Sequence, residues 1–269
     1  MKIVNPKYEI IAITDGQKML EAIECAARTC YKSEDKIGDG TARNMVRTLI
    51  LSHHDAMLEH AYLTVRFIVD RGVSHELVRH RMASFAQEST RYCKYHDEIT
   101  VIRPSQLAGD PVAMKAWIGA CEMAEDAYLA MLEAGVAPED ARAVLPMSLK
   151  TEIIVTANLR EWRHILALRA IGTTGRPHPQ MREVMEPLLE ELKQRVPVVF
   201  DDLIEGYYNK EYEKRPKTHP SCEDKERKTH AWFKKIYAWL VEKGICMHRR
   251  ISAAIECTGC KIKHIREKL

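Results

Sequence analysis

The sequence predicts an α/β (α+β) fold, in which a mixed β-sheet is flanked by long helices and followed by a helical C-terminal extension. Two observations support this fold class. Short segments rich in β-branched residues, which are typical of strands, occupy residues 8–14, 62–70 and 150–159. Longer segments between them carry apolar residues three or four positions apart, which is the spacing of amphipathic helices.

The first part of the chain supplies two strands and two helices of this fold. After the strand at 8–14, helices are predicted over 17–31 and 41–54 because apolar residues recur there at helical spacing. The segment 62–70 alternates instead, and the apolar residues on one of its faces are Leu63, Val65, Phe67 and Val69. This alternation predicts a strand that is buried on one face only.

The next segment contains a helix that ends in a polar stretch. A short helix is predicted over 71–81, and the apolar periodicity disappears between Ser84 and Cys93. We therefore predict a polar loop there, in a position where binding sites are common. A long helix over 110–135 and a short one after Pro138 follow the loop.

A strand and two helices complete this part of the chain. The strand at 150–159 leads directly into a helix predicted over 160–172. A further helix over 180–195 contains Pro187. Because proline lacks a backbone N–H group and clashes with the preceding turn, we expect a kink or a break at Pro187.

The length and charge of the chain limit the classes of protein to which it can belong. With 269 residues, 46% of them hydrophobic, the chain can bury a sizeable core. The balance of 41 basic and 38 acidic residues gives a net charge of only +3, so anion binding must depend on local clusters. The composition becomes highly charged after about residue 210, which predicts a main domain over 1–210 and a charged linker with a helical extension over 211–269.

The sequence also bears on where in the cell the protein is expected. The N-terminal residues lack the apolar core of a secretory signal, and no apolar run approaches the roughly 20 residues of a membrane span. We expect a cytoplasmic protein that associates with neither membranes nor nucleic acid. The eight cysteines are then expected to be mostly reduced.

The C-terminal extension allows an alternative role for four of its cysteines. Cys257 and Cys260 are separated by two residues, and Cys222 and Cys246 lie nearby. Such a set can bind zinc, although the second pair is irregularly spaced. Reduced thiols are the simpler interpretation, and we predict no metal site.

The segment 79–92, RHRMASFAQESTRY, carries an unusual density of hydrogen-bond donors. Arg79, His80 and Arg81 are consecutive and therefore point in different directions, so they cannot share one salt bridge. Further polar groups follow in the same segment at Gln87, Ser89, Thr90 and Arg91. Guanidinium groups, hydroxyls and free amides together are suited to a phosphorylated small molecule, whereas a solvated charged turn is the alternative.

The spacing in this segment matches a known signature. Arg79-His80-Arg81 is followed, after seven residues, by Ser89, and Arg91-Tyr92 extends the pattern. The pattern resembles the signature of the flavin-dependent thymidylate synthases.

Two other parts of the chain carry the same resemblance. HDAMLEH at 54–60 resembles the His and Glu-His segment of that family. ARAVLP at 141–146 and NLREWRHILALR at 158–169 resemble its C-terminal half. The resemblance covers roughly residues 1–210 and implies the thymidylate synthase-complementing protein fold for this catalytic domain.

The resemblance implies a reaction and its reactants. In this family dUMP is methylated reductively to dTMP in de novo dTMP biosynthesis, with methylenetetrahydrofolate as the one-carbon donor. FAD is the cofactor and NADPH is the reductant. Such enzymes form homotetramers in which neighbouring subunits contribute to each site.

The resemblance also implies roles for individual residues. The residues expected to bind the flavin are His54, Ala56, Glu59, Arg79, His80, Arg81, Met82, Gln87, Asn158, Arg160 and His164. The residues expected to bind dUMP are Glu76, Arg79, Gln87, Glu88, Ser89, Thr90, Arg91, Arg142 and Arg169. Arg169 is expected to be catalytic, because its charge would stabilise negative charge on the uracil ring.

Helix geometry separates two of these roles. Arg160 and His164 are four residues apart and share a helix face, whereas Arg169 lies nine residues after Arg160, roughly 180° around an α-helix. Arg169 shares a face with Trp162 and Ile165, so it should be partly buried and should need an acceptor or an anionic partner. An ion pair with a structural glutamate is the alternative.

Several features leave other interpretations open. Ala56, Glu76 and Ala86 stand where the family often has Ser or Thr, Gln, and Asn, respectively. His54, Glu59 and His60 suggest a zinc site, but they lack the paired helical histidines of zinc hydrolases. The competing function is a non-catalytic nucleotide- or nucleic-acid-binding module with a zinc-binding cysteine tail.

Overall fold

The computed structural model describes residues 1–203, which form strands and helices in an order close to the predicted one. The strands are β1 (Lys2–Val4), β2 (Lys7–Ile13), β3 (Tyr62–Asp70), β4 (Ser84–Gln87), β5 (Thr100–Ile102) and β6 (Lys150–Asn158). The helices are α1 (Gly16–Thr29), α2 (Thr41–Leu51), α3 (Arg71–Leu77), α4 (Pro111–Glu133), α5 (Pro138–Ala141), α6 (Leu159–Leu166) and α7 (Pro179–Arg195). A π-helical turn, Ala167–Ile171, continues α6.

The strands form two sheets, which confirms the predicted α/β class. The larger sheet has the order β2-β3-β6-β4, and all its neighbours are antiparallel. Among residues 1–203, parallel pairing occurs only in the two-stranded sheet of β1 and β5. The fold therefore mixes both kinds of pairing, but in separate sheets.

The main core lies between the larger sheet and the helices. The predicted inward face of β3 is buried, and Val65, Phe67 and Val69 are fully inaccessible. Trp162 on α6 packs beside Phe67, with ring centroids 6.3 Å apart, and its indole N–H donates to the Leu63 carbonyl at 3.1 Å. This packing fixes α6, and with it the following π-helical turn, against the sheet.

The structure corrects two predictions and adds two short strands. The stretch from Ser84 is not wholly a loop, because Ser84–Gln87 forms β4 and pairs with β6. α7 runs without a break through Pro187. The short strands β1 and β5 were not predicted, because three residues show too little periodicity.

The long helix α4 is less buried than its composition suggests. It packs through Cys121, Glu125 and Tyr128, whereas Met123 and Val112 are 74% and 80% exposed. Both of these apolar side chains are therefore open to solvent in this chain.

The structure bears on the predicted lack of a membrane span, but not on the C-terminal extension. No helix within residues 1–203 has the length and the apolar character to cross a bilayer. The C-terminal extension and its cysteines lie outside the described residues, so the zinc alternative and the domain boundary stay predictions.

Candidate active site

Residues 79–81 follow α3, and the structure separates their side chains as predicted. The backbone turns tightly here, with His80 N donating to the Leu77 carbonyl at 3.1 Å. The His80 side chain points inward and the residue is 4% exposed, whereas Arg79 and Arg81 are exposed. Neither of these guanidinium groups has an ion pair or a hydrogen bond within residues 1–203.

Arg169, on the π-helical turn, lies against His80 and Glu76. Its Nη1 forms an ion pair with Glu76 Oε2 at 2.7 Å, and its Nη2 donates to the Glu76 carbonyl at 3.2 Å. Its Nε donates to His80 Nε2 at 3.1 Å. The predicted need for an acceptor partner is therefore met within the chain, and two of the five guanidinium N–H groups remain available.

The π-helical turn overturns the expected separation between Arg169 and the helix face of His164. The rings of His80 and His164 lie 5.7 Å apart, so both His164 and Arg169 approach His80. A π turn closes hydrogen bonds between residues five apart and holds more residues than an α turn. Arg169, five residues after His164, therefore returns to the side of the helix that carries His164.

Glu161 completes this group, although the sequence patterns did not identify it. Its Oε1 lies 3.5 Å from His80 Nδ1, and the residue is 8% exposed. Glu161 is three residues after Asn158, whose side chain accepts from Glu161 N at 2.9 Å and caps α6. The Asn-x-x-Glu spacing was the available signal, but it indicates helix capping rather than a site.

The hydrogen bond from Arg169 indicates the tautomer of His80. Because Nε2 accepts from Arg169, the proton of the neutral ring is on Nδ1, which faces Glu161. Burial, and then the charges of Arg169 and His164, lower the pKa of His80 to about 4. Burial also raises the pKa of the Glu161 carboxyl, against the opposing effects of His164 and Arg160. His80 is therefore a neutral imidazole near pH 7.

His80, Glu161 and His164 also resemble a set of metal ligands. Their candidate ligand atoms lie within 4.8 Å of one another. The Arg169 hydrogen bond argues against a metal ion, because it places the proton on Nδ1, the atom that would face the ion. The group is better explained as a buried histidine that accepts from Arg169 and has Glu161 on its other side.

A second group of polar residues surrounds Thr90. Arg142 Nη1 donates to Thr90 Oγ1 at 3.1 Å, and Ser89 Oγ accepts from Arg91 N at 3.3 Å. The Arg91 guanidinium pairs with Glu139 at 3.0 Å on the exposed side. Two guanidinium groups and two hydroxyls therefore lie along one segment of the fold, and groups of these types suit a phosphate.

Comparison with known proteins gives this arrangement a context. Residues 9–198 match the model of the Thy1 family, described as thymidylate synthase complementing protein.

The chain belongs to this family.

Individual relatives agree with the family match. The flavin-dependent thymidylate synthase of Corynebacterium aurimucosum is 35% identical over 209 residues, which cover 71% of this chain and 82% of the relative. That of Geobacter sulfurreducens is 33% identical over 189 residues, covering 67% and 80%, respectively. The solved structure of the UMP/dUMP methylase PolB from Streptomyces cacaoi, bound with 5-Br dUMP, has a TM-score of 0.65 and 25% identity, and covers 75% of this chain and 96% of PolB. The predicted family and its fold are confirmed.

Several of the residues predicted to bind the flavin lie at exposed or partly exposed positions in this chain. Glu59 Oε1 pairs with Arg160 Nη1 at 2.6 Å, and both side chains are more than one-third exposed. His54 and Ala56 are exposed at the 3₁₀ turn Asp55–His60. Met82 is also exposed. Their roles stay predictions.

Two of the residues predicted to bind dUMP also form hydrogen bonds or ion pairs within the fold. Gln87 Nε2 donates to Ser74 Oγ at 2.9 Å and to Thr151 Oγ1 at 3.2 Å. The Glu88 carboxylate accepts from Tyr95 at 3.1 Å and lies 3.1 Å from Lys150 Nζ. These bonds attach β4 and the following residue to the sheet.

The departures from the Thy1 pattern differ in their consequences. Glu76 forms an ion pair with Arg169, so the carboxylate at position 76 neutralises part of the charge of the Arg169 guanidinium. Ala86, by contrast, lies in β4, where it pairs with Ile154 and is exposed. Glu139 was not predicted, and its ion pair with Arg91 was not foreseeable because 48 residues separate the two.

Proposed function

We propose that the protein is an FAD-dependent thymidylate synthase that methylates dUMP reductively to dTMP in de novo dTMP biosynthesis. Methylenetetrahydrofolate is the one-carbon donor, and NADPH is the reductant. The observation that carries the proposal is Arg169, which lies in a segment typical of the family and is held beside His80 with two N–H groups available.

The group around Thr90 is suited to the phosphate of dUMP. Arg142 and Thr90 are already in contact, and Arg91 N is held by the Ser89 hydroxyl. Because these groups are ordered by the chain itself, little conformational entropy would be lost on binding. A dianionic phosphate would compete with Glu139 for the Arg91 guanidinium.

Arg169 is assigned to the uracil ring. Its charge would stabilise negative charge on the ring and make the C5 carbon more nucleophilic. Glu76 and His80 fix the orientation of the guanidinium before substrate binds, so reorganisation during the reaction would be small.

The chain offers a donor set that fits FAD. Arg79 and Arg81 are exposed and have no intramolecular partner in the described part of the chain, so they can bind the phosphates of the cofactor. His54, Glu59, Arg160 and His164 would complete the site. When bound and reduced, FAD supplies the hydride of the reaction.

We also propose that the protein acts as a homotetramer in the cytoplasm. Within residues 1–203, no hydrogen bond or ion pair joins the Arg169 group to the Thr90 group. A second subunit could therefore supply one half of each site. The exposed apolar side chains of α4 provide a surface for self-association.

The competing nucleic-acid-binding function is not favoured. The family match covers the segments that carry the arginines, and the net charge is only +3. A duplex-binding surface would need a larger basic field.

Flavin binding is the first test of the proposal. The purified protein is expected to show the visible absorbance of a flavin, to release FAD on denaturation, and to lose the absorbance when NADPH is added without oxygen. Replacing Arg81 with glutamine should weaken FAD binding by roughly 10-fold, because a charge-assisted hydrogen bond is lost.

The control for this test is an arginine outside the site. Arg47→Gln changes an exposed residue on α2 and should leave FAD affinity unchanged. A colourless protein that does not take up FAD in a fluorescence titration would refute the proposed function.

A further inference from the structure

We propose that Glu161 is a positioning residue for thymidylate formation, whose carboxylate faces His80 Nδ1, favours the proton on that nitrogen and thereby lets His80 Nε2 accept from the Arg169 guanidinium. The proposal rests on the proposed function of Arg169.

The His80 ring and the Arg169 guanidinium lie in a row between two carboxylates. Glu161 Oε1 lies 3.5 Å from His80 Nδ1, and His80 Nε2 lies 3.1 Å from Arg169 Nε. Arg169 Nη1 then contacts Glu76 Oε2 at 2.7 Å. His80 is therefore placed between a group that can only accept and a group that can only donate.

This order of acceptor and donor determines the tautomer of His80. An ionised carboxylate cannot donate, so its neighbour Nδ1 carries the proton, and Nε2 keeps its lone pair for Arg169. If the proton moved to Nε2, two N–H groups would face each other and the Arg169 side chain would have to rotate. The second ring nitrogen of histidine is commonly used in this way to orient a functional group.

Because Glu161 and His80 are buried, losing their contact should have a larger effect than losing an equivalent contact at the surface. Glu161 and His80 are 8% and 4% exposed, so water cannot readily replace a lost partner. The charged and titratable groups around His80 are Arg169, His164 and Glu161, and those around Glu161 are His80, His164 and Arg160.

Helix capping is the alternative role for Glu161. In a capping box, the glutamate at the third helical position bonds back to the N–H of the capping residue. Asn158 N is instead part of β6, which pairs with β3, and the hydrogen bond in this chain runs from Glu161 N to Asn158 Oδ1. The carboxylate is thus free to approach His80.

The tautomer of His80 provides the most specific readout. We would label histidine with ¹⁵N, assign the His80 ring by its loss in His80→Gln, and compare Glu161→Ala with Glu161→Gln at neutral pH. In wild type the proton is expected on Nδ1. Glu161→Ala should shift the ring towards the Nε2-protonated form, whereas Glu161→Gln, whose amide oxygen can still accept, should retain the wild-type form.

Turnover provides the second readout. Glu161→Ala should lower kcat for dTMP formation by roughly 10- to 100-fold, the usual effect of losing an orienting partner, and Glu161→Gln should recover most of it. Glu21→Gln on the exposed face of α1 is the matched control and should leave kcat unchanged.

The two readouts separate this proposal from the proposed function. An unchanged His80 tautomer in folded Glu161→Ala would overturn the positioning role, and so would an equal loss of turnover in Glu161→Gln and Glu161→Ala. If the wild-type protein formed no dTMP, the proposed function would fail, but the tautomer comparison would still decide whether Glu161 orients His80.

Discussion

Arg169→Lys is expected to lower kcat for dTMP formation by about 10²- to 10³-fold, the effect of removing one preorganised group that stabilises developing charge. Lysine keeps the positive charge but cannot reproduce the fork that contacts Glu76 and His80 together. The charge would therefore remain near the uracil ring without its fixed orientation.

The measurement separates chemistry from binding. Single-turnover formation of dTMP gives the rate of the chemical steps, and flavin absorbance reports whether FAD is still bound. Arg195→Lys is the control, because Arg195 pairs with Glu191 at the surface and should leave the rate unchanged. A variant at Arg169 that keeps both the wild-type rate and its flavin would remove Arg169 from the mechanism.

Arg142→Ala is expected to raise KM for dUMP by roughly 10- to 150-fold and to change kcat much less, because it removes a charge-assisted hydrogen bond from the phosphate site. Thr90 would also lose the guanidinium that contacts its hydroxyl at 3.1 Å. The chemistry at the uracil ring depends on the other group, around Arg169.

Two comparisons make the Arg142 result specific. The fold loss in affinity should be much smaller for deoxyuridine, which lacks the phosphate. Arg103→Ala removes an arginine that contacts Asn5, outside both groups, and should leave KM unchanged. Equal losses for dUMP and deoxyuridine would show that Arg142 does not bind the phosphate.

The sequence was most informative where burial imposes a simple period. β3 was predicted with its observed bounds because Leu63 to Val69 alternate and the strand is buried on one face. β4 was missed, because its four residues are paired at one edge of the sheet and no full apolar face is needed there. The break allowed for at Pro187 does not occur, and Val184 and Leu188 on either side of it are buried within one helix.

The sequence also predicted only part of the arrangement of the candidate site. The family resemblance pointed to Arg79, His80 and Arg169. An ideal α-helix gave the wrong phase for Arg169 relative to His164, because the π-helical turn has no clear signature in the residues. Glu161 was missed since its role depends on His80, which is 81 positions earlier in the chain.

Product formation is the most direct test of the central claim that this chain positions dUMP beside reduced FAD for methylation. The protein should be incubated without oxygen with FAD, dUMP, methylenetetrahydrofolate and NADPH, and the nucleotides analysed by mass spectrometry. We predict dTMP formation that requires each of these components. Absence of dTMP from a folded, FAD-loaded protein would contradict the account.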